Sequence, residues 1–304
     1  MAITPDLKTQ IGPLELKNPV LLASGTCGYG AELTDFMDLS LLGGIVVKGL
    51  SLTPRQGNPP PRLWETPCGL LNSIGLENVG IDKFIQDKLP YLKKINTAII
   101  VNILGNSIEE YGKAAKKLTD AEGVDAIEIN ISCPNVKEGG AAFGTDPRMA
   151  AKVTEAVKKN ADIPVICKLS PNVTDICEIA KAVEEAGADA ISLINTLIGM
   201  AIDVEQRRPR LGNIIGGLSG PAIRPVAVRM AFQVVRAVQI PVIGIGGIAS
   251  SSDALEFLLV GAKAIQIGTA TLIKPDTAIS VIKGIKNYMK RHNLQNIEEL
   301  PITL

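Results

Sequence analysis

The sequence predicts an α/β fold, a closed (β/α)8 or TIM barrel in which eight parallel strands alternate with helices. Short apolar runs rich in Val and Ile occur eight times, and a segment with helical spacing of apolar residues follows each run. This is the pattern of a parallel sheet that is buried on both faces. The length of 304 residues suits a single barrel of this class, so we expect one domain over residues 1–304.

The elements can be placed in order along the chain. Before the first strand, "KTQIGPLELKNP" has the pattern of a hairpin, which would be either a plug for the N-terminal mouth of the barrel or a loose leader. Apolar residues recur three and four positions apart in 107–121, 146–160 and 175–188, and these segments are predicted helices. The eight strands are predicted at 19–24, 43–49, 98–104, 126–132, 164–170, 190–196, 241–247 and 264–270.

Two connections, residues 50–76 and 197–220, are longer than a turn between a strand and a helix requires. Both follow the C-terminal end of a strand, the face at which barrels of this class build their sites. Their content of Pro and Gly also fits disordered loops. Because the segment "CGLLNSIGL" is too apolar to remain in solvent, we expect these connections to cover a substrate.

Composition argues against several classes of function. The chain has 31 basic and 31 acidic residues and a net charge of zero, which argues against a nucleic-acid-binding surface. The N-terminal segment "MAITPDLKTQ" has no signal-peptide pattern, and no apolar run is long enough to span a bilayer. We therefore expect a cytoplasmic protein that binds neither nucleic acid nor a membrane.

The reactive residue types narrow the chemistry further. The single histidine, His292, lies in the polar segment "MKRHNLQN" and is expected at the surface. No other histidine is present for a Ser-His-Asp or Cys-His catalytic arrangement or for a histidine-ligated metal site. We therefore predict no metal site. The five cysteines have no C-x-x-C spacing and are expected to be reduced thiols; they are Cys27, Cys68, Cys133, Cys167 and Cys177.

One of these cysteines has unusual neighbours. Cys133 lies in "NISCPNVKEGG", directly after the alternating run "DAIEI", and stands between a serine and a proline. A cysteine can be a small core residue, a metal ligand, half of a disulfide, or a reactive base or nucleophile. The local sequence leaves this choice open.

Polar residues and glycines mark the carboxyl ends of all eight predicted strands. In a parallel barrel these ends meet on one face, so we expect the residues to form one site. The set consists of Ser24, Lys48, Asn102, Asn130, Lys168, Asn195, Thr196, Gly246, Gly247, Gly268 and Thr269.

This set suggests the kind of ligand. The glycines of "GIGG" and "IGTA" follow strands seven and eight, where barrels hold phosphate with backbone N–H groups. Lys48 and Lys168 lie within apolar strands, where an ammonium needs an anion or a strong acceptor. The alternative is a lysine that reaches the barrel mouth or pairs with a neighbouring carboxylate. A flavin suits both features, because it carries a phosphate and its reduced ring is anionic. No segment has the G-x-G-x-x-G spacing of a Rossmann site.

Ten motifs along the chain together resemble one known family. The motifs are "ASGTCGYG", "VVKGLS", "NSIGLEN", "VNILG", "EINISCPNVKEGG", "CKLSPNV", "INTLIGMAID", "GGLSGPAI", "GIGGI" and "QIGTA". In this order, and over essentially the whole chain, they are similar to the dihydroorotate dehydrogenases of pyrimidine (UMP) biosynthesis. Within the family, "ISCPNVKEGG" and "NTLIGMAID" are similar to the catalytic subunit of the NAD-linked B type. The membrane-associated class has serine in place of Cys133 and an N-terminal membrane extension, whereas the fumarate-using cytosolic type shares the cysteine.

The resemblance implies the oxidation of dihydroorotate to orotate, in which Cys133 removes the C5 proton while a hydride passes from C6 to N5 of FMN, one per chain. It implies that the other cysteines are mainly packing residues, with Cys27 near the flavin. The implied substrate-binding residues are Lys48, Asn72, Ser73, Ile74, Gly75, Leu76, Asn130, Asn135, Asn195 and Thr196. The implied FMN-binding residues are Ser24, Lys48, Gly49, Asn102, Asn130, Lys168, Ile194, Gly220, Gly246, Gly247, Gly268 and Thr269.

In the B type, electrons pass from FMN to a second subunit that carries FAD and a [2Fe–2S] cluster, where NAD⁺ is reduced. The resemblance therefore implies this electron-transfer partner and a homodimer of catalytic subunits within a heterotetramer. The alternatives are the fumarate-using type, a dihydrouridine synthase-like enzyme acting on RNA, and a flavin-binding scaffold without catalytic activity.

Overall fold

The computed structural model of the protein describes residues 4–132 and 143–302. In chain order the strands are β1 (Thr9–Ile11), β2 (Leu14–Leu16), β3 (Val20–Leu22), β4 (Gly44–Leu50), β5 (Leu63–Thr66), β6 (Gly69–Asn72), β7 (Ala98–Ile103), β8 (Ala126–Asn130), β9 (Val165–Leu169), β10 (Ala190–Leu193), β11 (Leu197–Met200), β12 (Ile202–Asp203), β13 (Arg208–Pro209), β14 (Ile215–Ser219), β15 (Val242–Ile245) and β16 (Ala264–Ile267). The α-helices are α1 (Ile81–Asp87), α2 (Leu89–Leu92), α3 (Ile108–Thr119), α4 (Pro147–Lys158), α5 (Ile176–Glu185), α6 (Arg224–Ala237), α7 (Ser251–Leu259), α8 (Ala270–Ile273) and α9 (Thr277–Arg291).

Eight of the strands form a closed parallel barrel in the order β3, β4, β7, β8, β9, β10, β15 and β16, and β16 pairs with β3 to close it. The predicted fold class is therefore confirmed. Each predicted strand overlaps one barrel strand, and β4 extends one residue beyond its prediction. The sixth is shorter than predicted, because it ends at Leu193 and the chain then leaves the barrel to form β11 at Leu197. Asn195 and Thr196 consequently lie after the strand.

The predicted helices are α3, α4 and α5, and each begins at a side chain that accepts a hydrogen bond from the first turn. Ser107 Oγ accepts from the Glu110 N–H, and Asp146 Oδ1 accepts from the Arg148 N–H. Asp175 Oδ1 accepts in the same way from the Cys177 N–H. These contacts satisfy N–H groups that have no partner within the helix, which explains why the periodic segments start where they do.

The N-terminal hairpin, β1 paired antiparallel with β2, plugs the barrel. Ile11 and Leu16 are almost fully buried and pack in one apolar cluster with residues of the barrel strands, among them Val46, Ile100 and Ile166. The plug interpretation is confirmed, and the loose-leader alternative is wrong. The opposite end of the barrel is left for the site.

The two long connections form a separate antiparallel sheet in the order β11, β14, β6 and β5. Strand β14, from the second connection, pairs with β6, from the first, so that Gly217 is opposite Asn72. The alternative of disordered loops is wrong for both connections, because backbone groups of one pair with those of the other. This sheet rises beside the C-terminal mouth of the barrel.

No helix within the described ranges is long and apolar enough to cross a membrane.

Candidate functional site

A cavity of about 600 Å³ opens at the carboxyl ends of the barrel strands. Lys48, Asn102, Asn130 and Lys168 line it from the barrel side. The first long connection lines it through Asn72–Leu76, a predicted substrate segment, and the second through residues 215–217. The two connections thus cover the cavity, as predicted.

A second cavity of about 110 Å³ lies after β15 and β16. Its lining includes the glycines of both strand ends and the Thr269 side chain. Thr269 Oγ1 donates a hydrogen bond of 2.7 Å to Ser219 Oγ, which joins β14 to the end of β16. Because Ser24, Lys168, Asn195, Thr196 and Thr269 line both cavities, the two spaces form one elongated site.

Gly268 leaves open space beside its backbone in the smaller cavity. A Cβ atom placed on Gly268 would find Ala23 Cβ at 3.6 Å, an ordinary contact, and its backbone is not in the left-handed region. The protein's own packing therefore does not require glycine here. A group that needs the space of that methyl, such as a phosphate held by backbone N–H groups, does require it.

The turn after β15 is built differently. Gly246 and Gly247 have φ of 134° and 70°, and a Cβ on Gly247 would lie 2.7 Å from Arg224 Cβ. Asp253 holds the end of this turn, since its Oδ2 accepts from the N–H groups of Ala249 and Ser250, and it also pairs with Arg224. The backbone conformation and the close packing of Arg224 therefore require glycine here, and the contacts of Asp253 hold the turn in place.

Lys48 is largely buried at the rim of the larger cavity. In the described part of the chain, no carboxylate lies within ion-pairing distance of its Nζ atom. Burial lowers the pKa of Lys48 from its ordinary value, an effect that the more distant Glu77 carboxylate opposes. The cavity thus holds a cation without an anionic partner among the described residues, which favours an anionic ligand.

Lys168 has a carboxylate partner that the sequence analysis did not identify. Its Nζ atom is 3.8 Å from Oε1 of Glu128, which is fully buried inside the barrel. Glu128 also accepts hydrogen bonds from Asn102 Nδ2 at 2.7 Å, Ser192 Oγ at 2.8 Å and Gln266 Nε2 at 2.7 Å. For Lys168, the alternative of a pair with a neighbouring carboxylate is therefore correct, although the ammonium also lines the site.

A signal for this network exists in the sequence. Successive residues of a strand point to opposite faces, and the run "DAIEIN" places Glu128 on the same face as Asn130, a residue already assigned to the site. In the register of the barrel, Glu128 is directly opposite Asn102, and Lys168 is opposite Ser192. An inward glutamate between apolar residues was the missed clue.

The segment predicted to hold a substrate presents one unsatisfied polar atom. Ser73 Oγ is buried and has no hydrogen-bond partner within residues 4–132 and 143–302. Asn72 is fixed by its Nδ2 atom, which donates to the Gly217 carbonyl at 3.1 Å. A buried hydroxyl without a partner is costly, so Ser73 favours a polar ligand in the cavity.

Most of the predicted site residues come together, and two cannot be placed. Cys133 and Asn135 lie outside the described residues. All the others line one or both cavities: Ser24, Lys48, Gly49, Asn72, Ser73, Ile74, Gly75, Leu76, Asn102, Asn130, Lys168, Ile194, Asn195, Thr196, Gly220, Gly246, Gly247, Gly268 and Thr269. Their roles toward a ligand stay predictions.

The remaining cysteines differ in their surroundings. Cys27 and Cys167 are buried packing residues, as expected, and burial raises the pKa of each thiol to about 12. Cys177 is partly buried. Cys68 is exposed, so the packing interpretation is wrong for this residue. Within the described ranges, no cluster of histidine, cysteine and carboxylate residues could hold a metal ion. His292 is exposed, as predicted.

The run "GIGGIA" has the looser spacing G-x-G-x-x-A of some nucleotide sites. Gly244 and Gly246 supply its glycines, but the run follows β15 of a closed barrel rather than the first strand of an open sheet. It therefore does not form a Rossmann site.

The fold and the site define a class, the (β/α)8 barrels that bind a ligand across the carboxyl ends of their strands with a glycine-lined pocket after strands seven and eight. The sequence profile of the family "Dihydroorotate dehydrogenase" matches residues 6–289. The chain belongs to the dihydroorotate dehydrogenase family.

Several relatives are similar to the chain over nearly its full length. A protein of Geobacter sp. (strain M21) named "Dihydroorotate dehydrogenase B (NAD(+)), catalytic subunit" is 56% identical over 296 residues, which cover 97% of each chain. Proteins of the same name from Desulforamulus reducens (strain ATCC BAA-1160 / DSM 100696 / MI-1) and Thermoanaerobacter sp. (strain X514) are each 56% identical over 295 residues, again with 97% of each chain covered. These matches confirm the family resemblance, including its similarity to the B type.

Proposed function

We propose that this chain is the FMN-containing catalytic subunit of an NAD-linked dihydroorotate dehydrogenase, which oxidises dihydroorotate to orotate in pyrimidine biosynthesis. Family membership and the names of the relatives support the reaction. The observation that carries the proposal is the elongated site, in which a polar cavity lined by two lysines continues into a glycine-lined pocket. That shape suits a flat ring system with a phosphate tail.

The residues present fit FMN. The open space at Gly268 suits the phosphate, together with Gly246, Gly247 and Thr269. The ring would lie beside the side chains of Lys168 and Asn102, which line the larger cavity. When bound, FMN supplies an acceptor for the two electrons that leave the substrate as a hydride. The remaining proposed FMN-binding residues are Ser24, Lys48, Gly49, Asn130, Ile194 and Gly220.

The substrate would lie over the larger cavity, under the two long connections. Dihydroorotate carries a carboxylate, and Lys48 is the cation in this cavity without an anionic partner in the described part of the chain. The amide groups of the ring suit asparagine side chains, which both donate and accept hydrogen bonds. The proposed set is Asn72, Ser73, Ile74, Gly75, Leu76, Asn130, Asn135, Asn195 and Thr196, with Lys48.

Cys133 is the proposed base that takes the proton from C5. Strand β8 ends at Asn130, and Ser132, the residue that precedes Cys133 in the sequence, lines the cavity. The chain's single histidine, His292, lies in the polar C-terminal segment. We therefore propose that the thiolate of Cys133 accepts this proton. The reaction then balances, because the substrate loses one proton to the protein and one hydride to the cofactor.

The experiment that tests the function replaces Cys133 by Ala in the FMN-loaded protein. Anaerobic mixing with dihydroorotate should bleach the flavin of the wild type, whereas the variant should retain FMN and be reduced about 10²- to 10⁴-fold more slowly, the usual contribution of a general base. Cys177→Ala is a matched control, because Cys177 lies on α5 and lines neither cavity. A wild type that dihydroorotate does not reduce contradicts the function, and a fast Cys133→Ala variant contradicts the role of the thiol.

The electrons would leave FMN for a partner subunit carrying FAD and a [2Fe–2S] cluster, and two catalytic subunits would form a dimer within a heterotetramer. The word "subunit" in the names of the relatives supports a partner. We propose a single FMN-binding barrel domain over residues 1–304 and a cytoplasmic location. Family membership speaks against the RNA-modifying and scaffold alternatives, and the B-type names of the relatives favour NAD⁺ over fumarate.

A further inference from the structure

Glu128 is a charged group that the proposed reaction does not use. It lies in the middle of β8 and is fully buried. It lines neither cavity, yet it contacts two residues that line the larger one, Asn102 and Lys168. A buried carboxylate is tolerated when its lone pairs are satisfied, and here four donor groups surround it.

The contact with Glu128 determines which end of the Asn102 amide faces the site. A carboxylate accepts hydrogen bonds and cannot donate them, so the Asn102 group 2.7 Å from Glu128 Oε1 must be the Nδ2 amine. The carbonyl oxygen Oδ1 is then turned toward Gly49, where an added Cβ would lie only 2.7 Å away. Asn102 therefore offers an acceptor to the cavity, and that acceptor can bind an N–H of a ring.

The contact with Lys168 has an electrostatic consequence. The ammonium and the carboxylate are 3.8 Å apart and both buried, so the net charge of the pair near the cavity is close to zero. If Glu128 is neutralised, Lys168 becomes an uncompensated cation beside the bound ring. An uncompensated cation stabilises the anionic reduced flavin more than the neutral oxidised one.

We infer that Glu128 is a positioning residue that orients Asn102 and Lys168 toward FMN and, by offsetting the charge of Lys168, sets how much more tightly the protein holds reduced than oxidised flavin. The inference rests on the proposed function, because it requires FMN in this site. A residue inside the barrel would thus influence the reduction potential of a cofactor bound at the barrel mouth.

The test is the two-electron midpoint potential of FMN bound to Glu128→Gln, measured by equilibration with a reference dye. The ratio of reduced to oxidised FMN affinity should rise about tenfold over the wild type, a positive shift of about 30 mV for a two-electron couple. Ser192→Ala is the matched control, since it removes one hydrogen bond to Glu128 Oε2 but leaves the charge. Its ratio should stay within about twofold of wild type. A Glu128→Gln ratio that is also within about twofold overturns the inference about charge.

Glu128→Asp tests the positioning role, and it remains readable if Glu128→Gln does not fold. The shorter side chain keeps the charge but withdraws the carboxylate from Asn102 and Lys168, so oxidised FMN should bind about tenfold more weakly than to the wild type or Ser192→Ala. Unchanged FMN affinity in Glu128→Asp overturns the positioning role. A wild-type protein that binds no FMN would overturn the proposed function and, with it, this inference. A wild-type protein that binds FMN, together with Glu128 variants whose FMN potential and affinity match the wild type, would overturn this inference alone.

Discussion

Lys48 and Lys168 show how residues of one type acquire different properties within one site. Lys168 is paired with the buried Glu128 carboxylate, whereas the burial of Lys48 is opposed, among the described residues, by the more distant groups Glu77 and Cys27. The charge of Lys168 is therefore largely balanced inside the protein. The charge of Lys48 remains available to a ligand.

Replacing Lys48 by Met tests this difference. Removal of a buried cation that has no close carboxylate should raise the free energy of unfolding by about 1 kcal/mol. The same change removes a charged contact to the substrate carboxylate, worth about 1.5–3 kcal/mol, so the KM for dihydroorotate should rise roughly 10- to 150-fold. Thermal unfolding and steady-state kinetics measure the two effects. A variant that is less stable than wild type would show that Lys48 has a stabilising partner.

The lowered pKa of Lys48 also predicts a dependence on pH. Only the protonated ammonium attracts the substrate carboxylate, so the KM should begin to rise at a pH below the ordinary lysine value of 10.5. The effect of the same pKa shift on stability is the opposite: high pH weakens substrate binding but favours the folded protein. The unfolded chain holds this proton to higher pH, so the contribution of Lys48 to the free energy of unfolding increases with pH between its lowered pKa and 10.5. The alkaline rise in KM should be absent in Lys48→Met.

Gly268→Ala separates ligand binding from folding. Because a Cβ there makes only ordinary contacts, the free energy of unfolding without FMN should change by no more than about 0.5 kcal/mol. FMN should bind at least about tenfold more weakly, since the methyl occupies the space proposed for its phosphate. Calorimetry and fluorescence titration measure the two quantities. The control is Gly112→Ala in helix α3, outside both cavities, for which FMN affinity should not change; normal affinity in Gly268→Ala would place the phosphate elsewhere.

At the scale of the elements, one asparagine ties the first long connection to the barrel. Asn78 is buried, and its Oδ1 atom accepts from the N–H groups of Ser51 and Gly80. Its Nδ2 atom donates to Leu76 O and to Ser51 Oγ, each at 2.9 Å. Both ends of the connection between β4 and α1 are thus held by one side chain, directly beside the segment Asn72–Leu76 that lines the cavity.

Asn78→Ala should therefore weaken substrate binding from outside the cavity. Four polar groups lose a hydrogen bond to Asn78, although Ser51 Oγ keeps its contact with Thr53 O, so the free energy of unfolding should fall by about 2–3 kcal/mol. The KM for dihydroorotate should rise more than the Kd for FMN, because the freed segment lines the larger cavity and not the smaller one. Asn160→Ala is the control, since that side chain donates one hydrogen bond to Ala156 O on α4. An equal loss of FMN and substrate affinity would mean that Asn78 supports the whole site.

The barrel strands were predictable because each is a local run of apolar residues, and so was the hairpin plug. The sheet of the two long connections was not. Its strands β6 and β14 are short and lack the alternation of apolar and polar residues. They pair across about 145 residues of chain, as the bond from Asn72 to Gly217 shows. Pairing at that distance depends on the closed barrel, which brings the two connections to the same face.

At the scale of the whole molecule, the sequence predicted that the candidate residues would meet on one face, and the described ones line cavities there because the barrel brings every strand end to that face. It did not identify Glu128, because an isolated glutamate in a strand gives no sign of which donors the closed barrel will direct at it. Lys168, Asn102, Ser192 and Gln266 come from four other strands. Features that depend on several strands at once require the closed structure.

The proposed function separates the oxidation of dihydroorotate, on this chain, from the reduction of NAD⁺, on a partner subunit. Its sequence has no G-x-G-x-x-G segment, and within residues 4–132 and 143–302 no cluster of cysteine, histidine and carboxylate residues could hold a metal centre. The isolated FMN-loaded chain should therefore pass electrons from dihydroorotate to a small artificial acceptor but reduce NAD⁺ at no more than about one hundredth of that rate, because the proposed function places the site that positions the nicotinamide ring on the partner subunit. Addition of an electron-transfer subunit carrying FAD and a [2Fe–2S] cluster should restore NAD⁺ reduction, measured by absorbance at the NADH band.

The same assay with fumarate in place of NAD⁺ is the control. Efficient NAD⁺ reduction by the isolated chain would contradict the two-subunit assignment, and efficient fumarate reduction would assign the chain to the fumarate-using type.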